Sequence, residues 1–330
     1  MKVVFAVVVI FLVGFVFILN KINMLEAGKK KVEEEISNMK FAKLSPFGEV
    51  KNLTILPLVD YYAVDENLNT EPGVSYLIKA DDTNILMDLG RNLQATHPSP
   101  LFQNMDQLGV KLEEIDLIFL SHLHLDHVGG MEEQREGTFS LSKDHTNIGT
   151  ITAYAPEDVK PSSWNPNMDV RVINEPEVIK PGVASIGPHP RYLFVMGYTL
   201  EQSLAINVEG KGIVLIVGCG HQTVDRILER ARELFDEPIY AIIGGLHFPV
   251  NGGRIKKGPL DLQYITATDN PPWHGLKEND VYEAIYKIKS VNPQLVSLSP
   301  HDSSDWALEK FKEAFGSRYE DLLVGKEMKI

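Results

Sequence analysis

The sequence predicts an α/β (α+β) fold that follows an N-terminal membrane-anchor helix. Short apolar runs of strand length alternate with amphipathic helical segments from about residue 45 onward. Several of these runs stop at a turn that contains a histidine. An uninterrupted apolar run over residues 3–19 precedes all of them. The first two observations predict one sheet-based catalytic domain over residues 45–330, and the third predicts the anchor.

The composition is that of a globular protein and excludes some partners. The 330 residues are 44% hydrophobic and 23% charged, which is ordinary for a folded chain. The formal charge of −13 argues against a nucleic-acid partner, because phosphate backbones need clustered Lys and Arg. Cys219 is the only cysteine, so an internal disulfide and a cysteine-based structural zinc site are excluded. The oligomeric state stays open.

The N-terminal apolar run predicts an uncleaved, single-pass membrane anchor. Residues 3–19 are at the short end of a membrane span, and no small-x-small cleavage site follows them. A cleaved signal peptide and a buried helix are the alternatives. The lysines after the run outnumber the one before it, which favours a cytoplasmic catalytic domain. We therefore expect an anchor over residues 1–20 and a polar helical stalk over residues 21–44.

The pattern of the remaining chain predicts alternating strands and helices. Strands are predicted at residues 53–59, 74–78, 84–87, 115–120, 151–154, 170–173, 192–195, 204–208, 213–217, 239–243 and 295–298. Helices are predicted at residues 98–108, 223–234, 281–290 and 306–315. Residues 249–278 are rich in Gly, Pro and Asn without periodicity, which predicts a lid-like insertion.

Residues 121–130 are the most informative stretch of the chain. They place His122, His124, Asp126 and His127 directly after an apolar run. Alternation along an extended segment would send the first three to one side, and the glycines that follow allow a turn that brings the fourth round. Three imidazoles and a carboxylate predict a metal site. The alternative is a polar turn whose histidines only cap and hydrogen-bond.

Three further predicted strands also stop at a histidine. These residues are His221, His247 and His301. Each alone is weak evidence, but strand ends at one edge of a sheet are where α/β enzymes place their functional residues. We therefore expect them to join the first cluster. The remaining histidines, which we expect at the surface, are His97, His145, His189 and His274.

These motifs resemble the metallo-β-lactamase superfamily over about residues 50–305. The resemblance rests on the segment at residues 84–90, the motif at 122–127 and the later strand-end histidines. It implies a four-layer αββα sandwich with a dinuclear metal site in the groove between two β-sheets. The motifs at strand ends further resemble the dihydropterin–ribofuranosylaminobenzene phosphate synthase branch of tetrahydromethanopterin biosynthesis. The motifs of this branch are residues 201–204, 218–221, 244–247 and 300–301.

The resemblance implies roles for individual residues. The implied metal ligands are His122, His124 and His221 for the first ion, and Asp126, His127 and His301 for the second. Asp88 matches an acidic turn that orients the ligands from behind. His247 lies where a proton donor or a contact to a substrate phosphate is expected, although it could equally be a ligand.

The chain departs from the family pattern at several positions. Cys219 stands where most of the superfamily has an aspartate that bridges the metals. We expect a buried group behind the ligands or a soft ligand there, rather than a catalytic thiolate. Tyr198 replaces the usual histidine one strand earlier, and residues 302–304 replace the Cys and small residue of the synthase branch. The substrate of the synthase does not follow from this pattern.

The expected cofactors are two divalent ions, with Zn²⁺ first and Mn²⁺ or Fe²⁺ as alternatives. Water bound to such a cation reaches a pKa of about 7, against about 15.7 in bulk. The function expected is a metal-dependent hydrolase, in which a metal-bound hydroxide attacks a small ester, lactone, amide or phosphate. Asp126 would orient the hydroxide and His247 would supply a proton. The partners expected are a small-molecule substrate and, through the helix, a membrane.

Two other functions stay open. A pterin-type synthase would use the metals to activate a pyrophosphate leaving group. A non-catalytic metal-binding sensor domain is the other, and the presence of all six expected ligand positions counts against it.

Overall fold

Two β-sheets packed face to face form the centre of the molecule. The computed structural model describes residues 2–143, 151–266 and 268–330, with side chains from residue 12 onward. Helices cover the outer face of each sheet, so the described residues form four layers in the order αββα.

The described strands and helices follow one another along the chain. The strands are β1 Leu53–Val59, β2 Ser75–Ala80, β3 Thr83–Met87, β4 Leu117–Phe119, β5 Thr138–Phe139, β6 Thr152–Ala155, β7 Lys160–Pro161, β8 Asp169–Val172, β9 Glu177–Lys180, β10 Val183–Ser185, β11 His189–Leu193, β12 Gly197–Glu201, β13 Leu204–Val208, β14 Gly212–Val217, β15 Ile239–Gly244, β16 Lys256–Lys257, β17 Leu260–Asp261, β18 Leu295–Leu298 and β19 Met328–Lys329. The helices are α1 Lys2–Asn38, α2 Pro100–Gln107, α3 Met131–Glu136, α4 Val224–Leu234, α5 Leu262–Thr266, α6 Glu278–Ser290 and α7 Asp305–Phe315. Three short 3₁₀ turns lie at Leu112–Glu114, Pro272–His274 and Gly316–Arg318.

The two large sheets have the same plan. One has the strand order β19-β1-β2-β3-β4-β6-β8, and the other has the order β18-β15-β14-β13-β10-β9. In each sheet an antiparallel part continues into a parallel part, which starts between β3 and β4 in the first and between β14 and β15 in the second. Three two-stranded ladders complete the described strands, namely β11-β12, β16-β17 and β5-β7.

Alternation along the strands produces the layers. In β2, Tyr76 and Ile78 point into the core between the sheets, whereas Leu77 points to the outer core beneath α2. In β14, Ile216 likewise belongs to the core between the sheets, and Leu215 belongs to the outer core under α4, α6 and α7. A strand that is buried on both faces reads as a continuous apolar run, which is why these segments are easy to find in the sequence.

The register aligns the strand ends from which the site is built. Val217 of β14 pairs with Gly244 of β15, which in turn pairs with Leu298 of β18. In the other sheet, Met87 of β3 pairs with Phe119 of β4. Because neighbouring parallel strands stop at the same level, the turns that follow them meet at one edge of the sandwich.

The prediction of a single-pass membrane anchor over residues 1–20 is wrong. Within residues 2–143, 151–266 and 268–330, no helix is long and apolar enough to cross a membrane. The apolar run is also not a separate element, because α1 continues without a break to Asn38. The side chains of residues 1–11 lie outside the described part.

The second half of α1 packs against the domain. Leu25 and Val32 are buried, and α1 contacts the β11-β12 hairpin. Lys29 Nζ lies 3.6 Å from an oxygen of Asp269, and the Tyr198 hydroxyl donates to Glu35 at 2.8 Å. The segment expected to act as a polar stalk therefore contributes one apolar stripe to the fold.

The histidines expected at the surface divide into two groups. His97 and His274 are exposed, as predicted. His189 is buried at 4% exposure, and for it the prediction is wrong. It begins strand β11, where it faces the interior. His145 lies outside the described residues.

Candidate metal centre

The predicted site residues meet at the edge where the parallel strands end. The structure brings together His122, His124, Asp126, His127, Cys219, His221, His247 and His301. The turn after β4 supplies the first four, and the turns after β14, β15 and β18 supply the others. The centre therefore lies between the two sheets.

The turn after β4 is folded more tightly than the sequence suggested. Strand β4 ends at Phe119, and the backbone N of His127 donates to the His124 carbonyl at 3.0 Å. The extended alternation expected for this segment is therefore wrong. The rings still converge, because the His122 centroid lies 4.5 Å from that of His124 and 4.1 Å from that of His127.

Asp88 and Ser121 orient two of the imidazoles from behind. The Ser121 hydroxyl donates to Asp88 Oδ2 at 2.7 Å, so its oxygen is free to accept from His122 Nδ1 at 2.9 Å. The same carboxylate oxygen lies 2.7 Å from His127 Nδ1. These contacts hold Nδ1 of both histidines behind the centre, so Nε2 of each ring faces it. Asp88 adopts a φ of 59°, a left-handed conformation that is found preferentially at functional sites.

Asp60, which follows β1 of the first sheet, and Ser299, which follows β18 of the second, repeat this arrangement around His301. The Ser299 hydroxyl donates to Asp60 Oδ2 at 2.6 Å, and its oxygen lies 2.6 Å from His301 Nδ1. His301 Nε2 therefore also faces the centre. Sequence reasoning missed both residues. A signal was present, because β1 ends at an aspartate just as β3 does.

Cys219 lies in the middle of the cluster and is fully buried. Its Sγ is 3.1 Å from His127 Nε2 and 3.3 Å from His301 Nε2. The turn that holds it is fixed by Glu201, a residue that sequence reasoning gave no role. The two carboxylate oxygens of Glu201 accept three backbone N–H groups, from Cys219 at 2.9 Å, Gly220 at 2.8 Å and His221 at 2.6 Å.

His247 and Asp302 lie beside this cluster. The His221 and His247 ring centroids are 4.7 Å apart. The backbone N of His247 donates to Asp302 Oδ2 at 2.8 Å, and its Nδ1 lies 3.9 Å from the same oxygen. Asp302 is fully buried and, with Cys219, belongs to the same group of possible ligands as His247. A role for Asp302 was not predicted, because its partner His247 lies 55 positions away in another turn.

Burial sets the protonation of most of these imidazoles. It lowers the pKa of His124 to about 4 and that of His247 to about 4, so both are neutral at pH 7. Although burial opposes it, the carboxylates of Asp88 and Asp126 raise the pKa of His127 to about 9. Neutral imidazole is the form that binds metal, so His127 would release a proton when a cation binds. The negative charge that raises the pKa of His127 would likewise stabilise a metal cation bound at the centre.

A cavity of about 210 Å³ opens onto the centre. His124, Asp126 and Cys219 line one side of it. Apolar side chains also line it, namely Met131, Met196, Ile255 and Leu262. The last two belong to the segment expected as a lid-like insertion, which folds into β16, β17 and α5. Gln263 of this segment donates to the His301 carbonyl at 2.8 Å, so the segment covers the centre.

A comparison with protein families decides which family this centre belongs to. The profile described as "Metallo-beta-lactamase superfamily" matches residues 68–231, which include the turn after β4 and the turn that carries Cys219 and His221. The chain belongs to the metallo-β-lactamase superfamily. The family resemblance read from the sequence is confirmed.

Curated relatives of this superfamily chain have different activities. The 7,8-dihydropterin-6-methyl-4-(beta-D-ribofuranosyl)-aminobenzene-5'-phosphate synthase of Methanocaldococcus jannaschii is 25% identical over 244 residues, covering 62% of this chain and 80% of the relative. An N-acyl homoserine lactonase of Bacillus cereus is 28% identical over 173 residues, covering 46% of this chain and 64% of the relative.

Solved structures show the same fold. Tm1679, described as a metal-dependent hydrolase of the beta-lactamase superfamily, aligns with a TM-score of 0.57 and 18% identity over 84% of this chain and 99% of its own. The metallo-beta-lactamase fold protein YhfI of Bacillus subtilis aligns with a TM-score of 0.51 and 14% identity over 85% of this chain and 100% of its own. These likenesses support the sandwich architecture.

Proteins of the metallo-β-lactamase superfamily generally bind divalent metals, often zinc, and the donor set of this chain fits such ions. Among the described residues, His122 Nε2 and both ring nitrogens of His221 and His247 are buried without a hydrogen-bond partner. Buried nitrogens without partners are costly, and a cation would satisfy them. Within the described part of the chain, three groups of possible ligands have donor atoms within 4.8 Å of one another: Asp126, His127, Cys219 and His301; His122, Cys219 and His221; and Cys219, His247 and Asp302.

Proposed function

We propose that this centre holds two divalent cations and hydrolyses a small ester, lactone, amide or phosphate. Zn²⁺ is the first choice of ion, with Mn²⁺ and Fe²⁺ as alternatives. The observation that supports the proposal is that the possible ligands form three overlapping groups beside a cavity. His122, His124 and His221 would hold one cation, and Asp126, His127 and His301 would hold the other.

Bound divalent cations would activate water as a nucleophile at neutral pH and stabilise negative charge on the substrate. The chain supplies the positioning of substrate and protons. The carboxylate of Asp126 lines the cavity and is the acceptor that would orient the attacking water. His247 lines the same cavity and would deliver a proton to the leaving group.

The cavity indicates a small, partly apolar substrate. Its volume is about 210 Å³, and four apolar side chains line it together with the possible ligands. Arg91 lines the same cavity, and its Nη1 has no hydrogen-bond partner within the described part of the chain. This guanidinium would bind a carbonyl, carboxylate or phosphate oxygen of the substrate.

A second candidate is a pterin-type synthase that displaces pyrophosphate. The relative from Methanocaldococcus jannaschii favours it, because its alignment spans most of that synthase. A further cavity of about 360 Å³ also supports it, since His221 and His247 line this cavity together with Arg191 and Lys277. A bulky, anionic substrate would use this space. A sensor domain that only binds metal is the third possibility.

Metal content tests the centre itself. We expect the purified protein to contain about two equivalents of Zn²⁺, Mn²⁺ or Fe²⁺ per chain. The double variant His122→Ala, His124→Ala should lose most of this metal, because two of the donors are gone. The matched control is His97→Ala, an exposed histidine that should leave the metal content unchanged. Stoichiometric metal in the double variant, measured by elemental analysis, would refute the assignment.

Substrate assays separate the candidate functions. The metal-loaded protein is incubated with dihydropterin pyrophosphate and the aminobenzene riboside phosphate, and in parallel with simple esters, lactones, amides and phosphates. Condensation with release of pyrophosphate supports the synthase. Hydrolysis of the simple substrates without condensation supports the hydrolase. If the metal-loaded protein turns over none of them, both enzyme functions are contradicted and the sensor domain is favoured.

A further inference from the structure

Arg191 of β11 bonds to two separate segments around the candidate centre. Its Nη1 donates to the His221 carbonyl at 2.8 Å, and its Nη2 donates to Asp269 Oδ1 at 2.9 Å. His221 belongs to the turn after β14, whereas Asp269 belongs to the segment that covers the centre. We call the described residues of that segment, 249–266 and 268–278, the covering segment. One guanidinium therefore ties the covering segment to a turn that carries a possible metal ligand.

Helix α1 reaches the same aspartate. Lys29 Nζ donates to the Asp269 carbonyl at 3.2 Å and lies 3.6 Å from Oδ2 of its carboxylate. We propose that Lys29, Asp269 and Arg191 are positioning residues through which α1 holds the covering segment closed over the metal centre. The purpose of this closure rests on the proposed function, whereas the contacts themselves need no metal. Helix α1, which lies outside the residues 68–231 that the family profile matches, would thus belong to the functional apparatus of the centre.

Burial and charge make this junction stronger than a surface ion pair. The side chains of Arg191 and Asp269 are only 15% and 25% exposed. Although burial opposes it, Arg191 and then Lys29 lower the pKa of Asp269, so the carboxylate is ionised at neutral pH. Solvent and salt weaken exposed ion pairs, but they screen a partly buried one much less. Two cations on one carboxylate therefore provide a tie that holds under physiological conditions.

The hairpin of β11 and β12 connects the helix to the covering segment. On one side, the Tyr192 ring lies against Gly28 so closely that a Cβ on this glycine would overlap it. At the end of β11, the backbone N of Phe194 donates to the Thr268 carbonyl at 3.2 Å, and the Phe194 ring contacts that of Trp273. Helix α1, the hairpin and the covering segment are therefore joined in series, with Arg191 between them.

The covering segment is also attached to the centre at a second place. Gln263 donates to the His301 carbonyl at 2.8 Å and accepts from the backbone N of Arg254 at 2.7 Å. Arg254 Nε donates to the Pro300 carbonyl at 2.8 Å. If the tie at Asp269 is lost, these contacts remain, so the segment should open at one end without disturbing the metal ligands. Loss of the tie should therefore change access to the centre and not the donor set.

Hydrogen–deuterium exchange of the full chain tests the tie without metal. In Lys29→Met the amides of the covering segment should exchange about threefold faster than in wild type, because a partly buried ion pair is lost. In Arg191→Met, which loses two charge-assisted hydrogen bonds, they should exchange about tenfold faster. The matched control is Lys30→Met, since the Lys30 side chain is 80% exposed on the same helix and should leave the rates unchanged.

Release of Co²⁺ measures the closure at the centre itself. Protein loaded with Co²⁺ is mixed with excess chelator, and the loss of the visible cobalt absorption is followed. Lys29→Met and Arg191→Met should bind as many ions as wild type, because neither change removes a proposed ligand. Both should release them faster, by about threefold or more, because the cover opens more often. Lys30→Met should release them at the wild-type rate.

The amides of β14 and β15 separate positioning from a general loss of stability. They should keep their wild-type exchange rates in both variants, whereas a destabilised domain would exchange faster in these strands too. Arg191→Lys keeps the charge and should give an intermediate rate in the covering segment, and it replaces Arg191→Met should that variant fold poorly.

Three results would overturn the positioning role. The first is a covering segment that exchanges at the wild-type rate in the variants of both Lys29 and Arg191. The second is an equal acceleration in β14 and β15. The third is faster exchange without faster release of Co²⁺, which would mean that the segment does not close the centre. If the wild type binds no Co²⁺, the proposed function fails instead, and hydrogen exchange alone decides whether α1 holds the segment.

Discussion

At the scale of single residues, the centre depends on imidazole N–H groups that point away from it and towards hydrogen-bond acceptors. Three histidines direct their Nδ1 protons backwards, to Asp88, to Ser121 and, through Ser299, towards Asp60. This fixes both the tautomer and the orientation of each ring. Burial raises the pKa of Asp60 to about 7, so this carboxylate takes up a proton under mildly acidic conditions.

The buried residue His189 should make the free energy of unfolding depend on pH. Burial, together with Arg230 and Arg226, lowers its pKa from 6.5 to about 3. Between these values the unfolded chain binds a proton that the folded chain does not. The free energy of unfolding should therefore fall with decreasing pH by about 1.4 kcal/mol per pH unit from this residue alone. In His189→Phe this contribution disappears, and the pH dependence should become shallower by that amount.

Urea denaturation between about pH 7 and pH 5 in the presence of a chelator measures this slope. The comparison uses the slope rather than the stability itself, so a general loss of stability in the variant does not affect it. His97→Phe is the control, because it makes the same substitution at an exposed histidine outside the core. Equal slopes for wild type and His189→Phe would show that His189 titrates normally in the folded protein.

The sequence reveals only the local part of the centre. The residues of the turn after β4 are neighbours in the chain, so their ligand pattern is visible without a structure. Asp60 and Ser299 are separated by 239 positions, and nothing in either local sequence shows that they meet. Glu201 is hidden for the same reason, because its partners are backbone N–H groups of another turn.

At the scale of elements, strands buried on both faces are predictable and short partly exposed ones are not. Leu53–Val59, Leu204–Val208 and Leu295–Leu298 have the bounds that the sequence predicts. The strands Glu177–Lys180 and Val183–Ser185 were missed, because the first is polar and the second has only three residues. Tertiary pairing rather than local preference makes such segments strands.

The packing of helix α1 against the domain could not be predicted from its sequence. Its sequence changes from apolar to charged near residue 20, but it contains no proline that would end the helix. The buried stripe consists of Leu25, Gly28 and Val32, and only two of these residues carry apolar side chains, too few to predict contact with the hairpin of β11 and β12.

Gly28 of α1 provides a prediction at this scale. Replacing a glycine inside a helix by alanine normally stabilises it by about 1 kcal/mol. At Gly28, however, a Cβ would overlap the ring of Tyr192 in β11. We therefore expect Gly28→Ala to destabilise the protein by about 1–3 kcal/mol, because the helix or the ring must move. Urea denaturation measures the change.

Gly14 is the matched control in the same helix. A Cβ at Gly14 has no described atom within 4 Å, so Gly14→Ala should leave the free energy of unfolding unchanged or raise it by up to about 1 kcal/mol. A stabilising effect of Gly28→Ala equal to that of Gly14→Ala would mean that α1 does not pack on β11 in solution.

At the scale of the whole molecule, the centre joins the two halves of the sandwich. The turn after β4 belongs to one sheet, whereas Cys219, His221, His247 and His301 follow strands of the other. A cation bound between them would bind only when both sheets are in place. Metal binding should therefore act on the stability of the entire domain rather than on one turn.

Removal of metal should lower the stability of the whole domain in one cooperative step. A ligand that binds only the folded state, at about 1,000 times its Kd, contributes about 4 kcal/mol. For a domain of this size, chelation should then lower the Tm by roughly 10 °C. The variant His122→Ala, His124→Ala should have a low Tm that the chelator does not change, since it lacks the metal from the start. Calorimetry with and without chelator measures both. A chelator effect of equal size in wild type and double variant would mean that the chelator acts elsewhere. If the chelator does not change the Tm of the metal-loaded wild type, the two sheets pair without help from the centre that they build.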